Sequence, residues 1–253
     1  MLLHHASWPE VETYLTRCKG IIIPIGSTEQ HGPNGLVGTD AICPEVIAAE
    51  AGAEAGLLVG PTFNVGIAQH HLGFAGSMTL RPSTMIAVIN DWIESLTRHG
   101  FERIYFLNGH GGNITTINAA FAEYYANFSL DGVACPVQLM QRNWWELSGV
   151  MDTCRKLFPV GEGMHATASE VSVTYYAHPH AIKQVEMTPK IAPVGGFSDA
   201  ADYRQRFPDG RIGSDPSQAT PEKGAEIVSF AKQALIAECA KFFDIKPALQ
   251  PAE

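Results

Sequence analysis

The sequence predicts an α/β fold, three layers in the order α/β/α around a mainly parallel central sheet. Three observations carry this. Short apolar runs without alternation, at 20–25 (GIIIPI), 57–61 and 103–107 (RIYFL), read as strands buried on both faces. Helical stretches fall between them at intervals suited to βαβ units. The 253 residues, 45% hydrophobic and 17% charged, suffice for one large core. No repeat, low-complexity tract or linker interrupts the pattern, so 1–253 reads as a single domain.

Taken in order, Ser7 is an N-cap for a short amphipathic helix that begins Trp8, Pro9, Glu10 and closes at Tyr14 and Leu15. The strand at 20–25 breaks at Gly26. Residues 42–55 are Ala-rich and helical, with Ile42, Val46, Ile47 and Ala49 inward. The strand at 57–61 leads into a long Gly-rich stretch holding His70 and His71, and such a loop tends to cover a site. Ser83 is read as the cap of a helix with Ile86, Ile89, Ile93 and Leu96 on one face and Gly100 as its stop. After the strand at 103–107, a helix at 114–127 puts Ile114, Ile117 and Phe121 inward. A fourth strand is expected at 133–140 and helices at 144–157 and 166–177. Residues 190–219 read as a long loop. Thr220 and Pro221 then open the last helix, running to about Phe243.

The bulk properties exclude some partners. A formal net charge of −9 and a pI near 5.5 argue against a nucleic-acid backbone and against an anionic membrane surface. Five scattered cysteines without a CxxC suit a reducing compartment. The first residues, MLLHHASWPEVETYL, lack a basic region followed by an apolar one, and no apolar run approaches membrane-spanning length. The expectation is a soluble, cytoplasmic protein.

The chemistry lies at strand ends. The loop after the first strand, GSTEQHGPNGLVGTD, carries Glu29, His31 and Asp40. In open α/β sheets such loops bind ligands. Glu29 and His31, two apart, point to one side of extended backbone. Asp40 returns across the turn formers between 32 and 39, and a carboxylate there can bridge two cations about 3.5–4 Å apart. The bland alternative is a solvated polar loop. His110 follows the third strand within Asn-Gly-His-Gly-Gly-Asn. A phosphate cradle lacks its GxxxxGK[ST], and an oxyanion hole of the HGGG kind lacks its GxSxG nucleophile. A third cluster, His165-Ala-Thr-Ala-Ser-Glu170, spans about 140° on a helix, so the two side chains converge only if His165 precedes the helix.

With GSTEQHGP plus Asp40, HHLGFAGSMTL, NGHGGN, HATASE and SDPSQATPEKG in order, the chain resembles the creatininase family of metal-dependent amidohydrolases. The resemblance covers roughly residues 7–240. It implies two divalent cations, zinc or manganese, with iron in some relatives, held by Glu29, His31, Asp40 and His110 with Asp40 as the bridge. Creatinine hydrolases have Glu two residues after the matching histidine, where this chain has Gly112, so Glu170 is the expected fifth ligand. They also carry a Trp a few residues before the matching His165, and none occurs at 158–164. Both departures disfavour creatinine. The implied activity is hydrolysis of a C–N bond in a small cyclic amide or formamide by metal-bound hydroxide, with peptide trimming as an alternative within the family. A homo-oligomer, often a hexamer, is implied too. His165 is the candidate general acid, His71 its reserve, and Glu170 serves both as ligand and in catalysis. The competing class is a metal- or nucleotide-binding regulatory module on the same fold; the full set of candidate residues favours the enzyme.

Overall fold

The structure is a computed structural model that describes residues 1–245; the end of the expected domain, 246–253, lies outside the described residues. Its sheet has three parallel strands in the order β1 (Gly20–Ile25), β2 (Arg103–Asn108) and β3 (Gln138–Asn143). Gly20 pairs with Arg103 and Ile25 with Asn108, while Asn108 pairs with Asn143. The three strands therefore end level, and the loops that follow β1 and β2 leave from one edge of the sheet.

The expected strand at 57–61 is reduced to isolated bridges. Val59 pairs with Ile22 and with Leu2, and Phe63 with Ile25. Ile22 bonds outward to the Leu58 carbonyl at 3.0 Å and receives Gly60 at 2.8 Å, after which the next donor on that edge of β1 would be Pro24. Proline has no N–H, so the ladder breaks there and resumes at Phe63. The strand expected at 133–140 begins later and runs to Asn143. Its sequence QLMQRN is polar because it is an edge strand half covered, and polarity hid it.

Helices flank the sheet: α1 (Trp8–Leu15), α2 (Thr39–Ala55), α3 (Pro82–Arg98), α4 (Ile114–Leu130), α5 (Val150–Leu157), α6 (Ala168–Ala177), α7 (Ala200–Arg206) and α8 (Pro221–Phe242). α3 packs on α4; α2, α6 and α8 pack together, with α5 against α8. Between them the isoleucines of β1 are buried completely or nearly so. Several boundaries differ from the sequence reading. α2 starts at Thr39, so Asp40 sits in its first turn and not in the preceding loop. Arg81, with Pro82 at the first helical position, precedes α3, leaving Ser83 inside the helix. Residues 144–146 form a 3-10 turn ahead of a short α5, because Gly149 in the left-handed region (φ 77°) separates the two. The long loop at 190–219 contains α7, capped by Asp199, whose carboxylate accepts from the amides of Ala201 and Asp202.

Two glycines set where α2 begins. A Cβ at Gly26, just past β1, or at Gly109, just past β2, would collide with the backbone carbonyl of Asp40. Their absence of side chains lets the first turn of α2 press against both strand ends. That is what carries the Asp40 carboxylate to the mouth of the sheet.

Candidate metal centre

The loop after β1 closes on itself through the Glu29 amide, which donates to the Val37 carbonyl at 2.7 Å. Glu29 and His31 are buried to 0% and 1% exposure, and Asp40 to 4%. The Nδ1–H of His31 donates to the Glu29 carbonyl at 3.1 Å. This fixes the tautomer and leaves Nε2 facing Asp40 Oδ1 at 3.0 Å and Glu170 Oε1 at 3.9 Å. His110 is held by the same logic in reverse. Its Nε2–H donates to the Ile67 carbonyl at 2.8 Å, so Nδ1 faces Asp40 Oδ2 at 2.9 Å and Glu29 Oε1 at 3.3 Å. Asp40 thus presents one oxygen to each of two imidazoles.

The asparagines of NGHGGN tie this together. Asn113 donates to the Gly26 carbonyl at 2.9 Å and accepts from the Ile67 amide at 2.9 Å. Asn108 donates to the His110 carbonyl at 2.6 Å and to Asn143 at 2.8 Å. The exits of β1 and β2 and the stretch around Ile67 are therefore one bonded unit.

The 165–170 cluster arrives from the other side. His165 precedes α6, bridged to Ile212, and Glu170 stands at the third position of α6. There it completes a capping box: Thr167 N donates to Glu170 Oε1 at 2.5 Å, and Glu170 N to Thr167 Oγ1 at 3.2 Å. His165 Nε2–H donates to the Gln30 carbonyl at 2.9 Å, which turns Nδ1 toward Glu29 Oε1, 4.0 Å away. The Gln30 amide then has its protons free for His71 Nδ1 and the Gly210 carbonyl, both at 2.9 Å. His71 Nε2 lies 3.0 Å from Glu29 Oε1. All seven side chains singled out in the sequence are brought together.

Whether cations suit the site is answered by its unpaired oxygens. Glu29 Oε1 and Oε2 and Asp40 Oδ2 are fully buried and form no aligned hydrogen bond, although nitrogens stand about 3 Å from two of them. Lone pairs aimed at a shared centre produce that pattern, and leaving buried carboxylate oxygens unpaired is costly. The residues group as Glu29, His31 and His165, as Glu29, His70 and His110, and as His31, Asp40 and Glu170, with ligand atoms within 4.8 Å of one another in each. The donor set, carboxylate and imidazole without thiolate, fits divalent metal ions such as zinc or manganese.

The electrostatics agree. Burial pushes His31 and His110 down, but Asp40 and the glutamates more than offset it and raise them to about 10 and about 9. Burial also raises Asp40, yet His31 and His110 hold its carboxyl well below the usual range. Burial raises Glu29 to about 8 and raises Glu170 as well. Such a field draws positive charge. Burial, reinforced by His31, holds His165 well below its ordinary value, so its ring is neutral; burial likewise lowers His71 and takes His70 to about 4.

Gly112 is packed closely. A Cβ there would strike the His110 ring and stand 2.6 Å from the Ile67 carbonyl, so this backbone excludes a carboxylate at 112. Beside the centre a cavity of about 200 Å³ is lined by His110, Trp144, Trp145, Glu162, His165 and Glu170, among others. Sequence reasoning missed His70, Gln30, Glu162 and the two tryptophans. His70 was visible only as the neighbour of His71, and Gln30 only as the residue between two ligands. Nothing in the sequence tied 144–145 or 162 to the loops after β1 and β2.

The model of the creatininase family, creatinine amidohydrolase, matches residues 4–239. A 3-dehydro-scyllo-inosose hydrolase of Thermotoga maritima is 28% identical over 137 residues, 54% of this chain and 42% of that one. A mycofactocin precursor peptide peptidase of Mycolicibacterium smegmatis is 32% identical over 108 residues, 40% of this chain and 43% of that one. The matched part thus spans less than half the length of each of these relatives. A crystal structure of creatinine amidohydrolase superposes with a TM-score of 0.86 over 97% of this chain and 98% of that one at 21% identity. Creatininases in a Zn–Zn form and a manganese form superpose with TM-scores of 0.82 and 0.81 at 22% and 23% identity, each covering 96% of this chain and 98% of the other.

Proposed function

The chain belongs to the creatininase family, and from that premise we propose that it is a binuclear-metal amidohydrolase cleaving the C–N bond of a small cyclic amide or formamide. The observation that carries this reading is Asp40, with Oδ1 toward His31 and Oδ2 toward His110, and with the unpaired, buried oxygens of Glu29 beside the latter. Glu29, Asp40 and His110 would hold one cation, and His31, Asp40 and Glu170 the other. Such cations, zinc or manganese, supply Lewis acidity and lower the pKa of water toward about 7.

The protein's own groups handle protons and position. His165 is neutral, and its Nε2–H is committed to the Gln30 carbonyl. Its Nδ1 is therefore the free base: it accepts a proton from the attacking water as the O–C bond forms and returns it to the departing nitrogen as the C–N bond breaks. Its acid role in this reading follows from first being a base. His71 is the reserve, facing Glu29 Oε1 with its other nitrogen held by Gln30. The cavity of about 200 Å³, walled by Trp144, Trp145 and Met151, suits a small substrate. No described helix is long and apolar enough to cross a membrane.

One observation favours a second reading, peptide trimming. Met164 and Val160, on the segment that borders the cavity, are 77% and 62% exposed and would offer an apolar strip to an extended peptide. The experiment is hydrolysis of creatinine, formamidopyrimidines and short peptides by the metal-loaded protein, with and without chelator. Chelator-sensitive cleavage of a small amide supports the first reading, cleavage of peptides alone supports the second, and no metal-dependent hydrolysis of any of them sinks both. The expected assembly as a homo-oligomer is tested by light scattering.

A further inference from the structure

We infer that His70 is a further metal ligand, joining Glu29, Asp40 and His110 around the first cation, so that this position has four protein ligands while the position of His31, Asp40 and Glu170, with three, keeps more room for substrate. The inference rests on the metal centre proposed above and assigns it a residue outside the expected set.

Three observations converge. A ring nitrogen of His70, a carboxylate oxygen of Glu29 and a nitrogen of His110 all lie within 4.8 Å of one another. The rings of His70 and His110 are nearly parallel, 15° apart, with centroids 6.1 Å apart. That is too far for face-to-face stacking. It is the separation expected for two imidazoles on opposite sides of one ion, since each nitrogen stands about 2.0–2.1 Å from the metal and each centroid roughly 1 Å further. Finally, among the described residues none hydrogen-bonds a ring nitrogen of His70, whereas His31, His71, His110 and His165 are each oriented by such a bond.

His70 is also held in place. It sits in a 3-10 turn, Gln69–His71, whose approach is pinned by Ile67 N to Asn113 and by Ala68 N to Thr79 Oγ1, both at 2.9 Å. Phe197 lies over its other side, with ring centroids 4.9 Å apart and planes 23° apart. The turn thus carries two histidines with different tasks. His71 faces Gln30 and Glu29 from within the buried network, and His70 faces the space between Glu29 and His110 from its open side.

The test is calorimetric titration of the chelator-treated protein with Mn²⁺ or Zn²⁺, alongside the visible spectrum of the Co²⁺-loaded form, for wild type, His70→Ala, His70→Asn and His110→Ala. His70→Ala is expected to weaken one of two bound cations by at least the roughly 10–100-fold typical of losing even an outer-shell partner, to leave the other intact, and to change the Co²⁺ spectrum. His70→Asn, a shorter neutral donor, is expected to recover part of the affinity, and it decides the matter if the alanine variant fails to fold. If His110→Ala loses a cation while both His70 variants titrate and absorb like wild type, His70 is not a ligand. If His110→Ala also keeps both cations, the proposed centre itself is wrong.

Discussion

Two glutamates in this site came to their positions by different routes. Glu29 hangs from the end of a buried strand, is 0% exposed, and has neither carboxylate oxygen in an aligned hydrogen bond. Glu170 stands in the first turn of α6, its side chain 12% exposed and one oxygen already bonded to the Thr167 amide. The strand-end carboxylate caps no helix and is faced by the imidazoles of His71, His110 and His165. The helix-cap carboxylate has a second occupation, because a capping box and a helix N-terminus favour it even with the site empty. In the proposed centre, then, one side is dedicated to the ion and the other shares its ligand with the fold.

The largest expected effect separates these two sides. Chelation should abolish hydrolysis and lower the thermal midpoint. A ligand held at 100 times its dissociation constant contributes about 2.7 kcal/mol, or roughly 5–10 °C in a chain of this size. Glu29→Ala should lose a cation and activity yet leave the helix content intact. Glu170→Ala should lose a cation and also fray α6, removing about 1 kcal/mol of cap. Metal analysis paired with thermal melts in chelator checks this. If both variants melt alike without metal, the contrast between the two carboxylates is wrong.

Next in size is Gly112. Restoring the glutamate of creatinine hydrolases, Gly112→Glu, should not add a ligand. The new Cβ clashes with His110 Nε2 and the Ile67 carbonyl it bonds, so the ring must shift from its place, at an overpacking cost of about 1–3 kcal/mol. The expected result is weaker binding of the first cation and a lower midpoint. A variant that binds metal more tightly than wild type would show that the loop adapts and that Glu170 is dispensable.

This contrast also explains what could be read from the sequence. β1 and β2 declare themselves as apolar runs, and Glu29 and His110 stand in the loops that leave them, so those two side chains were legible. The fate of the segment at 57–61 was not, since the missing N–H of Pro24 interrupts its ladder while the segment looks apolar all the same. Nor was the start of α2, which depends on Gly26 and Gly109 admitting the Asp40 backbone. The shared side rests on long-range juxtaposition. Gln30 meets His165 across 135 positions of sequence, and no local pattern announces such a meeting. His70 was visible only beside His71, and Glu162 only as one acid on a loop, although its partner Ser169 lies seven residues on.

The smallest effect is expected at Glu162, on the shared side of the site. Its carboxylate accepts from the Ser169 amide at 3.1 Å and from the Ser169 hydroxyl, so it caps the same helix turn that carries Glu170. Burial, with the nearby charge of Glu170, raises it to about 7 against the pull of the Ser169 bonds. In the unfolded chain it titrates near the ordinary 4.5. Between those values the folded state binds the extra proton, so stability falls as pH rises from about 4.5 through about 7. Glu162→Gln removes the titration but keeps one acceptor oxygen for Ser169. The variant's midpoint minus that of wild type should therefore become more positive from pH 5 to pH 8, by about a few degrees. A constant offset from the altered hydrogen bonds shifts that difference without changing its slope, and both proteins are measured chelator-treated, so that no bound cation alters the charge of Glu170 beside Glu162. A flat difference, or one that falls with pH, would mean that Glu162 is ionised in the folded protein across this range. The α6 turn would then carry two negative charges beside Asp40, and the shared side of the centre would draw cations as strongly as the dedicated one.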